Sequence, residues 1–225
     1  SWDSKSFPKL AKIKTGETVH LSFELPVGAA KAGADMVRLS ATASVNKIGG
    51  REVQNEIRSQ ELRLRVGSDL KLSAAARFYA DKKTAVGTGP IPPEVGKETS
   101  YRVTWRLVNT LHELSAVAVL AALPSNVRFD GKKTSTNGTL VFDPATRNIT
   151  WSLNRIGIEG KPDEVQFDVI LTPMEADRGK LALLIGESSV EATDAILQTK
   201  IAARAGSLTT NLDGDPAAEG KGVIK

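Results

Sequence analysis

The sequence predicts an all-β protein built from tandem β-sandwich modules. Three observations carry that expectation. Segments throughout the chain alternate apolar and polar residues with a period of two, most clearly at 100–107, where Tyr101, Val103, Trp105 and Leu107 point one way and Arg102, Thr104 and Arg106 the other. Such segments recur at short spacing with turn formers between them and almost no helical period. One part of the chain also parallels another.

In chain order, residues 2–10 form a short apolar-polar segment ending near Pro8. A turn at 14–17 leads into an alternating strand at 18–25, with Val19, Leu21, Phe23 and Leu25 inward. Residues 26–33 form a loop. A strand at 36–45 carries Val37, Leu39, Ala41 and Ala43 on one face and runs into a Gly-Gly turn at 46–50. Residues 53–66 follow; 61–66 reads as a strand, and the first half as a strand or a loop. Leu70, Leu72, Ala74, Ala76 and Phe78 alternate strictly, which favours a strand over the helix suggested by the alanines. Residues 81–96 form a loop, 100–109 the strand described above, and 111–114 a turn. Val117, Val119, Ala121 and Leu123 form a strand closed by Pro124. After a short strand at 127–129, residues 132–138 read as a polar loop. Residues 139–142 and 148–153 form a hairpin around Asp143-Pro-Ala-Thr-Arg, rich in turn formers. Residues 157–163 form a loop, and Val165, Phe167, Val169 and Leu171 alternate again. Leu181, Leu183 and Ile185 follow inward, then strands at 196–203 and 208–212. The Gly-, Ala- and Pro-rich stretch at 213–222 reads as mobile.

The parallel runs between Trp151 with its downstream strand, Glu164-Val-Gln-Phe-Asp-Val-Ile-Leu-Thr-Pro, and Trp2 with Thr18-Val-His-Leu-Ser-Phe-Glu-Leu-Pro. It divides the chain into residues 1–68, the C-terminal part of a sandwich module or a short module; 69–205, a complete module; and 206–225, a linker or the first strand of a following module. Half a sandwich would expose an inner sheet face. Either Ser1 is an arbitrary cut, or a neighbouring chain supplies the missing strands, or the first module has its own closed core. Trp151 is the expected partner of Trp105 across the complete module.

Composition narrows the function. Of 225 residues, 40% are hydrophobic and 25% charged, which suits a globular fold, while 5% aromatic content means cores of Val, Ile, Leu and Ala. A net charge of +4, without aromatic residues among the basic ones, argues for solvated faces rather than nucleic-acid binding. The absence of cysteine excludes disulfides, thiolate metal sites and a cysteine nucleophile. The longest apolar run, 116–123, is too short for a membrane span. The chain starts without Met, signal peptide or targeting tail, as expected of a piece of something longer.

No motif points to catalysis. His20, on the wet face of a strand, and His112, in a turn, lack ligand-spaced partners and read as surface residues. Asn211, Asp213 and Asp215 resemble the first part of a calcium loop, lacking the closing Glu, and form the one candidate metal site. Asn137-Gly-Thr and Asn148-Ile-Thr are glycosylation sequons. Trp105 and Trp151 lie on apolar faces, as core residues do. Gly87-Thr-Gly-Pro contains Pro and no helix follows it, so it is no phosphate loop.

Pro90-Ile-Pro-Pro-Glu-Val-Gly-Lys-Glu-Thr-Ser-Tyr-Arg-Val-Thr-Trp-Arg-Leu-Val-Asn, Val117-Ala-Val-Leu-Ala-Ala-Leu-Pro-Ser-Asn-Val-Arg-Phe, Phe142-Asp-Pro-Ala-Thr-Arg-Asn-Ile-Thr-Trp and Val165-Gln-Phe-Asp-Val-Ile-Leu-Thr-Pro resemble the conserved-repeat, immunoglobulin-like surface modules of bacteria and archaea. The resemblance covers residues 90–212, and residues 2–72 match its second half less closely. It implies tandem immunoglobulin-like sandwiches in an extracellular cell-envelope protein, of surface-layer or adhesin type, and no catalytic residues. The expected function is a non-enzymatic stalk, lattice or filament module whose partners are copies of itself or neighbouring array modules. The alternative is an adhesin-type module whose loops at 132–138 and 157–163 recognise a cell-wall or host glycan or a host protein.

Overall fold

The computed structural model describes residues 1–24 and 36–225. The loop expected at 26–33 and Leu25 of the strand expected at 18–25 lie outside the described residues. The chain divides into two compact units, Ser1–Ala30 and Lys31–Lys225.

In the first unit, Asp3 Oδ1 accepts the N–H groups of Lys5 and Ser6, fixing a turn before the 3₁₀ turn Pro8–Ala11. Gly16 has a φ of 81°, which suits the turn closed by Glu17 N–H to Lys14 O. The strand expected from Thr18 does not form across 18–24. Alternation specifies a face, but a strand also needs a neighbour for its backbone groups, and no described strand pairs here. Phe23 remains 57% exposed, its ring 5.8 Å from that of Trp2.

The second unit begins with an exposed two-stranded ribbon. Strand β1 (Met36–Leu39) pairs antiparallel with β4 (Leu62–Arg65), and β2 (Thr42–Ile48) pairs with β3 (Arg51–Arg58). The expected Gly-Gly turn joins β2 to β3, with positive φ at Gly49 and Gly50 as a tight hairpin requires. The single strand expected at 36–45 is broken after Leu39, where Ser59 Oγ takes up the Ala41 N–H.

Next comes a closed sandwich. One sheet has the order β5-β6-β11-β8, from β5 (Lys71–Arg77), β6 (Thr99–Val108), β8 (Val127–Ser135) and β11 (Asp163–Leu171). The other has the order β14-β13-β7-β10-β9, from β7 (Leu114–Ala122), β9 (Thr139–Asp143), β10 (Asn148–Ile156), β13 (Ser188–Asp194) and β14 (Lys200–Ala205). From β6 to β9 the chain crosses between the sheets at each connection, β9 and β10 form a hairpin within one sheet, and β11 returns to the other. This is the all-β, immunoglobulin-like sandwich expected. Tyr101, Val103, Trp105 and Leu107 line one wall, Val117, Val119, Ile149, Trp151 and Leu153 the other, each at most 3% exposed. Trp105 Nε1–H donates to Ser188 Oγ and Trp151 Nε1–H to Asn137 O, so neither indole leaves a buried donor unmet.

Several segments depart from expectation. Lys132–Ser135 extends β8 rather than forming a loop, because β11 offers partners as far as Val165 opposite Ser135. Strand β13 was not expected; its inward residues are Ser188, Val190, Ala192 and Asp194, too polar at both ends to show an apolar period. Residues 195–199 turn, and β14 starts only at Lys200. In β12 (Leu183–Ile185) and the residues before it the phase is reversed: Ala182, Leu184 and Ile185 are buried, while Leu181 and Leu183 are exposed.

The largest difference concerns residues 206–225, expected as a linker or the start of a further module. Here β15 (Leu208–Thr209) pairs with β12, and Leu212, Ala218 and Ile224 join the sandwich core. The stretch at 213–222 is packed: Ala218 is fully buried and Asp215 3% exposed. A Cβ on Gly222 would sit 1.6 Å from Thr210 O, so only glycine lets these two backbones pass.

Candidate functional site

Most polar residues buried in the sandwich gather at its two poles; Asp168, paired with Arg102 within the β6–β11 ladder, is an exception. Strand β5 pairs antiparallel with β6 from Lys71 opposite Val108 to Arg77 opposite Arg102. Residues just before β5 and just after β6 therefore share one pole. Residues just after β5 and just before β6 share the other, about 24 Å away for seven strand residues.

At the first pole the link from ribbon to sandwich, Gly67-Ser68-Asp69, is pinned by side chains. Ser68 N–H donates to Asp194 Oδ2 at 3.1 Å, and Ser68 Oγ donates to Asn109 Oδ1. Asn109 Nδ2 donates to His112 O at 2.6 Å and to Gly157 O at 3.1 Å. Asp69 accepts the N–H groups of Thr110 and Leu111 and the Thr110 hydroxyl. The side chains of His112 and Asp194 are fully buried, with Nδ1 2.7 Å from Oδ2. Because an ionised carboxylate only accepts, Nδ1 carries the proton of this bond. Asp194 Oδ1 accepts the N–H groups of Ile196 and Leu197. Burial pushes the Asp194 pKa up, but these backbone donors and His112 outweigh it and hold the carboxyl below its ordinary value. Asp69 is lowered in the same way, burial being outweighed first by Thr110.

At the second pole Asp215 does the equivalent work. Its Oδ2 accepts Phe78 N–H at 2.7 Å and Tyr79 N–H at 2.9 Å; its Oδ1 accepts Ala217 N–H at 2.9 Å and Ala218 N–H at 2.7 Å. Burial raises its pKa, and the four donors reverse the sign, leaving it lowered. The last residues continue the seam. Lys225 N–H donates to Pro93 O and Ile224 N–H to Lys180 O, while Val95 and Gly179 donate back to Lys225 O and Ile224 O.

This arrangement corrects the expectation for His112 and shows how the candidate calcium residues are held. The candidate calcium residues Asn211, Asp213 and Asp215 are used by the fold itself. Four N–H groups occupy the acceptor directions of Asp215, and Asn211 Nδ2 donates to Asp213 Oδ1 at 2.5 Å. Among the described residues no group of three or more His, Cys, Asp or Glu could hold a metal ion. His112 is not a surface residue but a member of the first clamp. The clamp partners of Ser68 lie 41 to 126 residues away, so no local spacing announces them. Of the loops expected to recognise a partner, 157–162 and 136–138 both lie toward the first pole, Gly157 O against Asn109 and Thr136 N–H bonded to Glu164 O. The two hollows described are shallow, about 210 Å³ each, one beside Ala74–Ala76 and Gly206–Thr209, the other beside Lys133, Gly138 and Val165. No described helix is long and apolar enough to cross a membrane.

No family model matches the sequence, and no curated protein matches it. Solved structures similar to the chain include BcpA*(D312A), the major pilin subunit of Bacillus cereus, at 8% identity over 79% of this chain and 65% of that one, with a TM-score of 0.44. The full-length major pilin SpaD from Corynebacterium diphtheriae is 13% identical over 63% of this chain and 35% of that one, with a TM-score of 0.42. Three N-terminal domains of the type V pili tip protein Mfa5 from Porphyromonas gingivalis are 10% identical over 44% of this chain and 22% of that one, with a TM-score of 0.36. The chain thus spans less than two thirds of the length of each. Similarity at this level carries no statement about activity.

Proposed function

We propose that this chain is a non-enzymatic structural module of an extracellular, cell-surface protein, passing mechanical load along a stalk, lattice or filament. One observation carries the reading. The sandwich is entered at one pole, at Gly67–Asp69, and the chain reaches residue 225 at the other, and both crossings are fixed by buried carboxylates. Load applied between these points runs along the strands. At the entry it loads the seven-residue β5–β6 ladder in shear rather than peeling it one bond at a time. The resemblance of residues 90–212 to tandem surface modules supports the same reading, with residues 1–68 as the C-terminal part of a neighbouring module or a short module. Partners would then be copies of the chain or adjoining modules.

Force spectroscopy tests this. Because the chain lacks cysteine, handles can be attached through introduced cysteine pairs. Pulling between residues 68 and 225 is expected to give one cooperative rupture at a clearly higher force than pulling between residues 68 and 157, which share a pole. Equal forces in the two geometries would refute the load-bearing reading.

A further inference from the structure

The ribbon β1–β4 has one property that the sandwich does not need. Its register sorts side chains by chemistry. Val37 lies opposite Leu64, Leu39 opposite Leu62, Ala43 opposite Ile57 and Val45 opposite Asn55. With Ser59 N–H bonded to Ala41 O, these residues share one face, which is apolar up to its hairpin end, where Lys47 lies opposite Glu52 as an ion pair. The other face takes Arg38 opposite Arg63, Met36 opposite Arg65, Thr42 opposite Arg58 and Ser44 opposite Glu56. Ile57 and Leu62 are each 55% exposed and Leu64 46%. A two-stranded ribbon is marginal alone in water and gains independent stability when a sheet or helix covers its apolar face.

We infer that the apolar face of the ribbon is a contact between two copies of this chain, the ribbons stacked face to face as a four-stranded miniature sandwich. This rests on the structural-module reading above and names the surface through which copies meet laterally. Charge selects the occupant. All five arginines of the ribbon, Arg51 opposite Ile48 included, point away from the apolar face, so two copies meet without arginines in contact. A charged partner, in contrast, finds only the mutually neutralised Lys47–Glu52 pair at one end of the face. Size agrees. Ten residues of strand are about 33 Å long, and two strands with their side chains about 15 Å wide, giving roughly 500 Å² per copy and about 1,000 Å² in total. That is the lower limit for a specific interface, so the dimer is expected to be weak alone and to count when copies are held side by side. Stacked sheets pack about 10 Å apart, a distance Leu and Ile side chains from both copies fill.

The test uses the full chain. Sedimentation over roughly 1 μM to 1 mM should show a concentration-dependent dimer. The double variant Leu62→Lys, Leu64→Lys should weaken it at least 10-fold while the near-ultraviolet signal of Trp105 and Trp151 stays unchanged, showing an intact sandwich. In the cysteine-free background Leu62→Cys should form a disulfide-linked dimer on oxidation, and Arg63→Cys, on the opposite face, should not. A wild-type chain monomeric throughout overturns the inference. Equal cross-linking from both positions overturns it too. So does a Leu62→Cys thiol shielded from alkylation in the monomer, which would mean that another segment of the same chain covers the face. If the dimer persists in the double variant, copies meet elsewhere: this surface is then wrong while the load-bearing reading stands. If instead the pulling experiment fails and the dimer forms as described, the reverse holds.

Discussion

Replacing Asp215 with Asn changes one atom type at a point where four backbone donors converge. The carboxylate is 3% exposed and accepts Phe78, Tyr79, Ala217 and Ala218 at 2.7 to 2.9 Å. An amide keeps one oxygen, so two N–H groups face an NH₂ and lose their acceptor, at about 1–3 kcal/mol each. The two remaining bonds change from charge-assisted to neutral, at roughly 0.5–1 kcal/mol each. The amide turns its oxygen toward whichever donor pair is harder to release, and relaxation of the other pair reduces the total to about 3–5 kcal/mol. That is a large share of the roughly 5–15 kcal/mol of a whole domain. Urea unfolding followed by tryptophan fluorescence is the assay: the midpoint should fall with little change in slope, and the melting temperature should drop by roughly 10 °C. Asp213→Asn is the control, since Asp213 is exposed and meets only Asn211; its cost should stay below about 0.5 kcal/mol. If Asp215→Asn costs less than about 1 kcal/mol, the tail is not held by this carboxylate and the second clamp does not exist.

Asp69, Asp194 and Asp215 all titrate below the ordinary carboxylate value of 3.8 in the folded chain. Their contribution is therefore complete above that value and is lost as pH falls through the lowered folded values, so urea midpoints should decline on the acid side, less steeply in Asp215→Asn. Tyr101 Oη is buried with Thr99 as a weak hydrogen-bonding neighbour and no well-formed hydrogen bond among the described residues; Tyr101→Phe should change stability by no more than about 1 kcal/mol in thermal unfolding. Ala116 has a φ of 49° where β7 shifts phase, so Ala116→Gly should stabilise by about 1 kcal/mol. Gly222→Ala places a Cβ against Thr210 O and should cost at least about 1–3 kcal/mol, read as faster tryptic cleavage after Lys221.

Much of the sandwich was legible because its core strands announce themselves. Tyr101 to Leu107 and Ile149 to Leu153 alternate without interruption, and both walls fell where the pattern placed them. Strand β13 was hidden because Ser188 and Asp194 occupy inward positions, satisfied by Trp105 and by the first clamp. The phase at 181–185 was misread because exposed Leu181 and Leu183 flank the buried Ala182 and Leu184. Asn211-Leu-Asp-Gly-Asp looks like a solvated loop until Phe78 and Tyr79, about 137 residues upstream, supply donors. The clamps escaped for the same reason: short-range spacing records what a residue does to its neighbours, and Ser68, Asn109, His112 and Asp194 act on one another across the fold.

A load-bearing sandwich needs both poles to be as firm as its core. Hydrogen exchange at single-residue resolution measures this directly, through the amides of Ser68, Thr110 and Leu111 at one pole and Phe78, Tyr79 and Ala218 at the other. Protection at both poles is expected close to that of Val103 and Trp151 in the central strands. Exchange at either pole as fast as in the exposed ribbon would contradict the load-bearing reading.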